Sequence, residues 1–307
     1  MGESVGHRDL HGEPAAREHG ASRGAIDLPV AKEPHTGFAV IPASSLKGVA
    51  RDAFEAPAKG DDTKLKEVAD IFGPSLTKAE EDIQKNAGEG LFAGALVFTE
   101  ARLVAYAARS LNRPFVYVTC RLVLERLRRD LRAADKELSI AVPDLPGDAK
   151  GALVADKGLA GKTLVIEDMV YTPDRISIST DLGTIAENLG KLLPEAEGET
   201  RARLKKSLVL IPDNDFSALA RKLPVRARIR LGENKTTSDD DGNLWYEEQV
   251  PSDCLFVSFI GARRGKRQFL EAFKKNSKAI AVTQIGGNET VGEGIVLWTI
   301  AGEEVVR

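Results

Sequence analysis

The sequence predicts a mixed α+β domain with long loop insertions, and three observations carry that reading. Strand-like and helix-like patterns interleave along most of the 307 residues. Runs such as residues 225–231 alternate apolar and polar too regularly for a parallel sheet buried on both faces. Polar, charged or Pro/Gly-marked stretches separate the periodic segments, with no fixed-period repeat and no low-complexity tract.

The elements follow in order. Residues 1–24 are polar, hold His7, His11 and His19, and lack any helical or strand period, so they read as loop or tail; residues 25–307 read as one domain. A short apolar lead-in from Ala25 reaches a strand over 37–42. Ser44 and Ser45 then cap a helix that carries Leu46, Val49, Ala50, Ala53 and Phe54 at helical spacing. Residues 59–66 form a charged connection to Ile71-Phe72-Gly73, and 80–90 a loop. Residues 91–102 are rich in β-formers, which predicts a strand with Val97, Thr99, Ala101 and Leu103 on one face. Residues 115–119 are a strand leading into a helix. Leu124, Leu127 and Leu131 line one face of that helix, and Arg126, Arg128, Arg129 and Arg132 surround the rest, as on a solvated surface. Beyond a loop at 143–151 come a strand at 163–171, a helix carrying Leu182, Ile185, Leu189 and Leu192, and further strands from Lys206.

Composition excludes several classes. A hydrophobic content of 42% supports a sizeable core, which rules out wholesale disorder. Lys plus Arg number 43 against 46 Asp plus Glu, a formal charge of −3, so a polyanion must be met by local basic patches. No apolar stretch approaches the roughly 20 residues of a spanning helix, the first 24 residues have no secretory core, and Cys120 and Cys254 are too few for a disulfide framework. These features predict a cytoplasmic protein with no membrane partner.

Four features could carry chemistry. In the run 225–231 a strand would put Arg226, Arg228 and Arg230 on one face, about 7 Å apart, suited to phosphates through charge-assisted bonds. A solvated face paired with acids on a neighbouring strand is the more ordinary reading, since half-buried strands commonly look like this. Arg263-Arg264-Gly265-Lys266-Arg267 is either a polyanion contact or a soluble turn before a helix near Gln268. The segment 44–51 would aim first-turn amides outward, with Lys47 and Arg51 on one face, as in an anion cradle; a plain cap with exposed cations is the alternative. The glycine loop at 286–294 precedes a strand-like stretch, which rejects a dinucleotide fingerprint. His7 and His11 lack the acid a zincin motif needs, no Ser/His/Asp set is identifiable, and loop acids such as Asp27 remain as candidate catalysts.

The segments A-I-D-L-P-V-A-K-E-P-H-T-G-F at 25–38 and V-I-P-A-S-S-L-K-G at 40–48 occur in order with residues 91–102 and 119–129, G-N-L-W-Y-E-E at 242–248, and the glycine loop. Together they resemble the RAMP superfamily. Within it, they are similar to the repeated backbone subunits of type III-B CRISPR effector complexes, the fourth subunit of the Cmr complex, over roughly residues 25–300. The resemblance implies a ferredoxin-like, RNA-recognition-type palm with a β-hairpin thumb. It implies copies stacked into a helical filament along crRNA, with target RNA and other Cmr subunits as partners.

It further implies that Asp27 is the loop aspartate needed for metal-dependent cleavage of target RNA, with Mg2+ or Mn2+ as cofactor. Ser44, Ser45, Lys47 and Arg51 fall at the guide-contacting helix start, and Gly286, Gly287, Gly292 and Gly294 in an RNA-facing loop. Tyr246 and Glu247 lie near the cleavage region, and His35, Arg226 and Arg228 complete the expected RNA-binding set. Two departures are visible. Members carry a histidine eleven residues before the aspartate, a place taken here by Ala16, so an altered or missing first palm strand is expected. Glu293 stands where members often have a basic residue, which should weaken one phosphate contact. A non-catalytic crRNA-binding scaffold and a stand-alone nucleotide-binding enzyme remain as the competing readings.

Overall fold

A computed structural model describes residues 3–4, 26–74, 92–136, 140–145, 150–231 and 244–301. In chain order the first elements are β1 (Glu3–Ser4), β2 (Val40–Ile41), α1 (Ala43–Glu55), α2 (Asp62–Phe72), β3 (Leu96–Phe98), β4 (Ala101–Arg109), β5 (Phe115–Cys120) and α3 (Arg121–Ala133). The middle holds β6 (Ala152–Val154), β7 (Leu164–Ile166), β8 (Met169–Tyr171), β9 (Ile176–Ile178), α4 (Thr180–Lys191), α5 (Gly198–Ser207), β10 (Leu208–Ile211) and α6 (Asp213–Ala220). Last come β11 (Val225–Ile229), β12 (Leu244–Glu248), β13 (Leu255–Val257), β14 (Phe259–Ala262), α7 (Arg267–Lys275), β15 (Val282–Gln284) and β16 (Ile295–Leu297).

A seven-stranded mixed sheet in the order β13-β4-β5-β10-β6-β9, with β2 added beside β4, forms the centre. The β10–β5 and β6–β9 pairs are parallel and the rest antiparallel. Its central strands are mainly apolar because both faces are covered, with Thr119 of β5 a buried polar exception. Val116, Val118, Val209 and Ile211 point into one cluster with Leu46 and Phe54 of α1, Ile71 of α2 and Phe273 of α7. Tyr117, Leu208 and Leu210 alternate to the other side, under Leu124 and Leu127 of α3 and Leu182 and Ile185 of α4. Burying each such leucine or phenylalanine stabilises the fold by about 2 kcal/mol. The mixed α+β class therefore holds, but the alternating run that argued against a doubly buried sheet lies outside that sheet, in the ribbon β11–β12.

A second sheet, β1-β14-β3, meets the first at a crossing. β3 and β4 are separated by Thr99 and Glu100, and β13 and β14 by Ser258. Ser258 Oγ donates to the Thr99 carbonyl at 2.8 Å, and the Phe259 N–H donates to Thr99 Oγ1 at 2.8 Å. Two hydroxyl side chains thus take over where the ladders break. The single strand expected over 91–102 is divided at this point, leaving Val97 exposed while Ala101 and Leu103 are buried.

Other expectations shift for local reasons. The connection at 59–66 is instead the start of α2, capped by Asp61, which accepts the N–H groups of Thr63 and Lys64. The strand at 163–171 is a hairpin, β7–β8, turning at Glu167 with φ +52°. Lys206 lies in α5, two residues before the strand it was assigned to. Within 1–24, Glu3 and Ser4 pair with Ile260 and Phe259, so β14 has a partner on that edge; His7, His11, Ala16, His19 and the loop at 80–90 lie outside the described residues. Cys120 and Cys254 are buried free thiols. No helix among the described residues is long and apolar enough to cross a membrane.

Candidate active site

β12 opens with Leu244, Trp245 and Tyr246, whose bulky side chains favour extended backbone. The strand period of two sends Leu244, Tyr246 and Glu248 to one side and Trp245 and Glu247 to the other. β11 occupies one edge, with Arg226 opposite Glu247 and Arg228 opposite Trp245. Residues 27–28 occupy the other. The N–H groups of Asp27 and Leu28 both donate to the Tyr246 carbonyl at 3.1 Å, and the Glu248 N–H donates to the Leu28 carbonyl at 3.0 Å, giving a parallel bridge between Leu28 and Glu247. Asp27 Oδ2 accepts the Tyr246 N–H at 2.8 Å. Among the described residues no group donates to Oδ1, and the side chain is exposed.

Behind this edge lies a charged network. Glu247 is buried and accepts from Trp245 Nε1 at 2.7 Å, Arg228 Nε at 3.1 Å and Asn288 Nδ2 at 3.0 Å. Glu293, also buried, accepts from Arg226 Nη1 at 2.7 Å, Asn288 Nδ2 at 2.8 Å, Gln249 Nε2 at 3.3 Å, and Arg228. Two carboxylates thus share Arg228 and Asn288. Arg226 and Arg228 follow the paired alternative of the sequence reading, with Glu247 of the neighbouring strand and Glu293 of the loop as their acids, whereas Arg230 is exposed. The apolar side of the ribbon meets solvent as well, Val225 being 48% and Ile229 53% exposed beside 52% for the Arg226 side chain. Glu293 is accordingly a buried acceptor that fastens the glycine loop to β11.

That loop joins β15 to β16 as a hairpin. Gly286, Gly292 and Gly294 take φ of +105°, +75° and +76°, which side chains disfavour. Gln284 Nε2 donates to the carbonyls of Gly286 at 2.8 Å and Gly287 at 3.0 Å, closing the loop from inside.

The helix start near this site differs from its expected form. Pro42 is the N-cap of α1 and makes no side-chain cap bond, so Ser44 and Ser45 fall inside the first turn instead of capping it. Proline's fixed φ of −57° suits that position, and the first-turn amides stay without a capping side chain. Lys47 has no polar partner among the described residues. Arg51 is engaged, donating to Glu55 at 3.2 Å and to the Pro74 carbonyl at 3.1 Å. α1 also packs against β15, the strand that feeds the glycine loop.

Between Asp27 and α1 the chain folds on itself, with Lys32 bridged to Ala39 and His35 exposed at the tip. Glu33 braces the turn. It is 5% exposed and accepts from Thr36 Oγ1 at 2.6 Å and from both terminal nitrogens of Arg126, at 2.9 and 2.5 Å; Arg102 Nε stands 3.3 Å away. Burial opposes its ionisation, but the Arg126 and Thr36 hydrogen bonds and the charges of Arg126 and Arg102 outweigh that and hold the carboxyl below the usual glutamate range. Arg126, 13% exposed, is thus a structural clamp, contrary to the solvated role expected for it. Glu248, 4% exposed, accepts the Val30 N–H at 3.1 Å and Lys32 Nζ at 2.5 Å.

The structure therefore brings Asp27, Tyr246, Glu247, Arg226, Arg228 and the four loop glycines into one hydrogen-bonded assembly, with Ser44, Ser45, Lys47, Arg51 and His35 on the adjoining helix and turn. Sequence reasoning missed Glu33, Glu248 and Asn288; the two glutamates are buried and Asn288 bridges two buried carboxylates, pairings that show only in three dimensions. For a divalent ion, no group of three or more His, Cys, Asp or Glu suited to a metal occurs among the described residues. Asp27 offers one uncommitted oxygen. That fits Mg2+ or Mn2+ held by one carboxylate with water and substrate phosphate, not an all-protein cage.

The chain belongs to the RAMP superfamily, whose profile matches residues 9–296. It is homologous to the CRISPR system Cmr endoribonuclease Cmr4 of Pyrococcus furiosus, 34% identical over 291 residues that span 92% of this chain and 90% of the relative. Its fold matches the crystal structure of oligomeric Cmr4 from Pyrococcus furiosus, with a TM-score of 0.68 at 24% identity, covering 98% of this chain and 99% of the other. It also matches a chain in the cryo-EM structure of the type III-B Cmr-beta complex bound to cognate target RNA, with a TM-score of 0.68 at 20% identity and coverages of 97% and 96%.

Proposed function

We propose that this chain is the repeated backbone subunit of a type III-B CRISPR ribonucleoprotein, that it binds crRNA, and that it cuts complementary target RNA at Asp27. The observation that carries the reading is an exposed carboxylate pinned through one oxygen to the Tyr246 amide, its other oxygen without a donor among the described residues, on a chain 34% identical to a Cmr endoribonuclease. Partners are crRNA, target RNA, further copies of the chain in a filament, and other Cmr subunits. Sequence choice comes from base pairing, so backbone contacts suffice, in keeping with a net charge of −3.

In this reading the helix-backed sheet around β4, β5 and β13 is the ferredoxin-like palm, and the ribbon β11–β12 is the thumb. The apolar side of that ribbon, with Val225, Ile229, Leu231 and Leu244 exposed, suits contact with unstacked bases, and the half-exposed Tyr246 adds a ring beside Asp27. First-turn amides of α1 and Lys47 take guide phosphates. In the cleavage step the target's 2′-oxygen bonds to the adjacent phosphorus as its proton passes to water, and the bond to the 5′-oxygen breaks as that oxygen takes a proton from water. The products are a cyclic phosphate and a 5′-hydroxyl. Asp27 Oδ1 would hold Mg2+ or Mn2+, which supplies charge stabilisation at the phosphate and lowers the 2′-hydroxyl pKa. Tyr246 N–H fixes where that oxygen sits.

Replacing Asp27 with Ala in the assembled complex should abolish target cutting while target binding stays within a few-fold. Undiminished cutting by D27A would remove Asp27 from the mechanism, and a wild-type assembly inert with Mg2+ or Mn2+ would leave a scaffold only.

A further inference from the structure

The edge that carries Asp27 has an irregular rung. A parallel ladder that runs from Leu28 N–H to the Tyr246 carbonyl, and from Glu248 N–H to the Leu28 carbonyl, would next place the Val30 N–H on the Glu248 carbonyl. Pro29 between them has no N–H to give. The Val30 N–H turns instead to the Glu248 side chain, at 3.1 Å from Oε2. Val30 is 6% exposed, so without this carboxylate a buried amide would be left unpaired. The second oxygen, Oε1, accepts Lys32 Nζ at 2.5 Å, which balances the buried negative charge. Each neighbouring glutamate thus serves a different side of β12: Glu247 faces the arginines and the glycine loop, Glu248 the strand segment that begins with Asp27.

We propose that Glu248 is a positioning residue for the cleavage carboxylate, with Lys32 as its counter-charge. The proposal rests on Asp27 being the cleaving group. Asp27 and Leu28 are fastened to β12 by four hydrogen bonds, one of them made by the Asp27 side chain itself. Glu248 adds the anchor at residues 30–32, which stops the segment from peeling off the open edge of the ribbon. Among the described residues the Glu248 carboxylate bonds Val30 and Lys32 and not Asp27, so its side chain acts on cleavage through where the Asp27 segment stands.

The test uses assembled complex under single-turnover conditions, with target affinity measured separately, for Glu248→Ala, Glu248→Gln, Lys32→Met and Asp27→Ala. E248A is expected to slow cutting by about ten-fold or more with target affinity within about three-fold. E248Q, which keeps an acceptor for Val30, should be slowed less, and K32M should give an intermediate loss. Hydrogen exchange on the full chain should show faster exchange over residues 28–32 in E248A and no change in α1. Wild-type cutting by E248A beside an inactive D27A overturns the proposal. So does a loss of target binding that matches the loss of cutting, which would mark a merely structural role. Should E248A fail to assemble, the E248Q and K32M rates decide, and wild-type rates for both overturn it. Active D27A instead defeats the functional reading beneath, whatever Glu248 does.

Discussion

At Gly294 a Cβ would overlap the Ile285 carbonyl oxygen, and the backbone φ of +76° is one that side chains resist. Gly48, within α1, has open space where its Cβ would be. Gly294→Ala should therefore destabilise the chain by about 2 kcal/mol, and Gly48→Ala should stabilise it by roughly 0.5–1 kcal/mol. Denaturant midpoints at constant m-value check both, and equal midpoints for the two variants would contradict the contrast. Asp27 shows the limit of reading single residues. Its acid type and loop position were visible, but its bond to the Tyr246 amide joins residues 219 apart in sequence.

Among the elements, the turn over 31–40 rests on Glu33. Its folded pKa lies below the ordinary 4.5, so the unfolded chain binds the proton more readily. The stability this pair contributes is complete above the ordinary value and is lost as pH falls through the depressed one. Thermal unfolding of Glu33→Gln should lack that acid-side loss, while at neutral pH the variant should be weaker by about 3 kcal/mol because Arg126 loses its buried acceptor. An acid limb as steep as that of the wild type would refute the assignment.

Element types were legible where apolar spacing was regular. Leu124, Leu127 and Leu131 gave α3, and the run at 115–119 gave β5. The start of α2 was hidden because its first turn buries nothing, leaving only the Asp61 cap as a signal. Faces were harder than elements. Alternation separated the arginines of β11 from its apolar residues, but the pairing of Arg226 and Arg228 depends on the glycine loop, whose Glu293 supplies the opposing charge.

For the molecule as a whole, a formal charge of −3 leaves RNA binding to a few placed cations. Most arginines near the site are committed to carboxylates, as Arg226, Arg228 and Arg126 are, so under the proposed function Lys47 would carry a large share of the phosphate contact. Lys47→Ala should weaken crRNA binding and flatten its log–log salt dependence by about 0.7 per lost phosphate. A slope identical to that of the wild type would mean that the residue only solvates α1. The superfamily could be read from ordered segments before any coordinates, whereas the cooperation among Glu33, Glu247, Glu248 and Glu293 could not, because each acid meets partners contributed by different parts of the chain.

The paired breaks at Thr99 and Ser258 have an architectural consequence. Adding or removing one residue in a strand reverses the faces of everything paired beyond it. Here both strands leave one sheet and join the other at the same level, tied by hydroxyl groups. A length change in β3 or β14 would end at this seam, sparing the central sheet and the helices that cover it. The small sheet can thus diverge in length and shape while the scaffold beneath the cleavage edge stays in step.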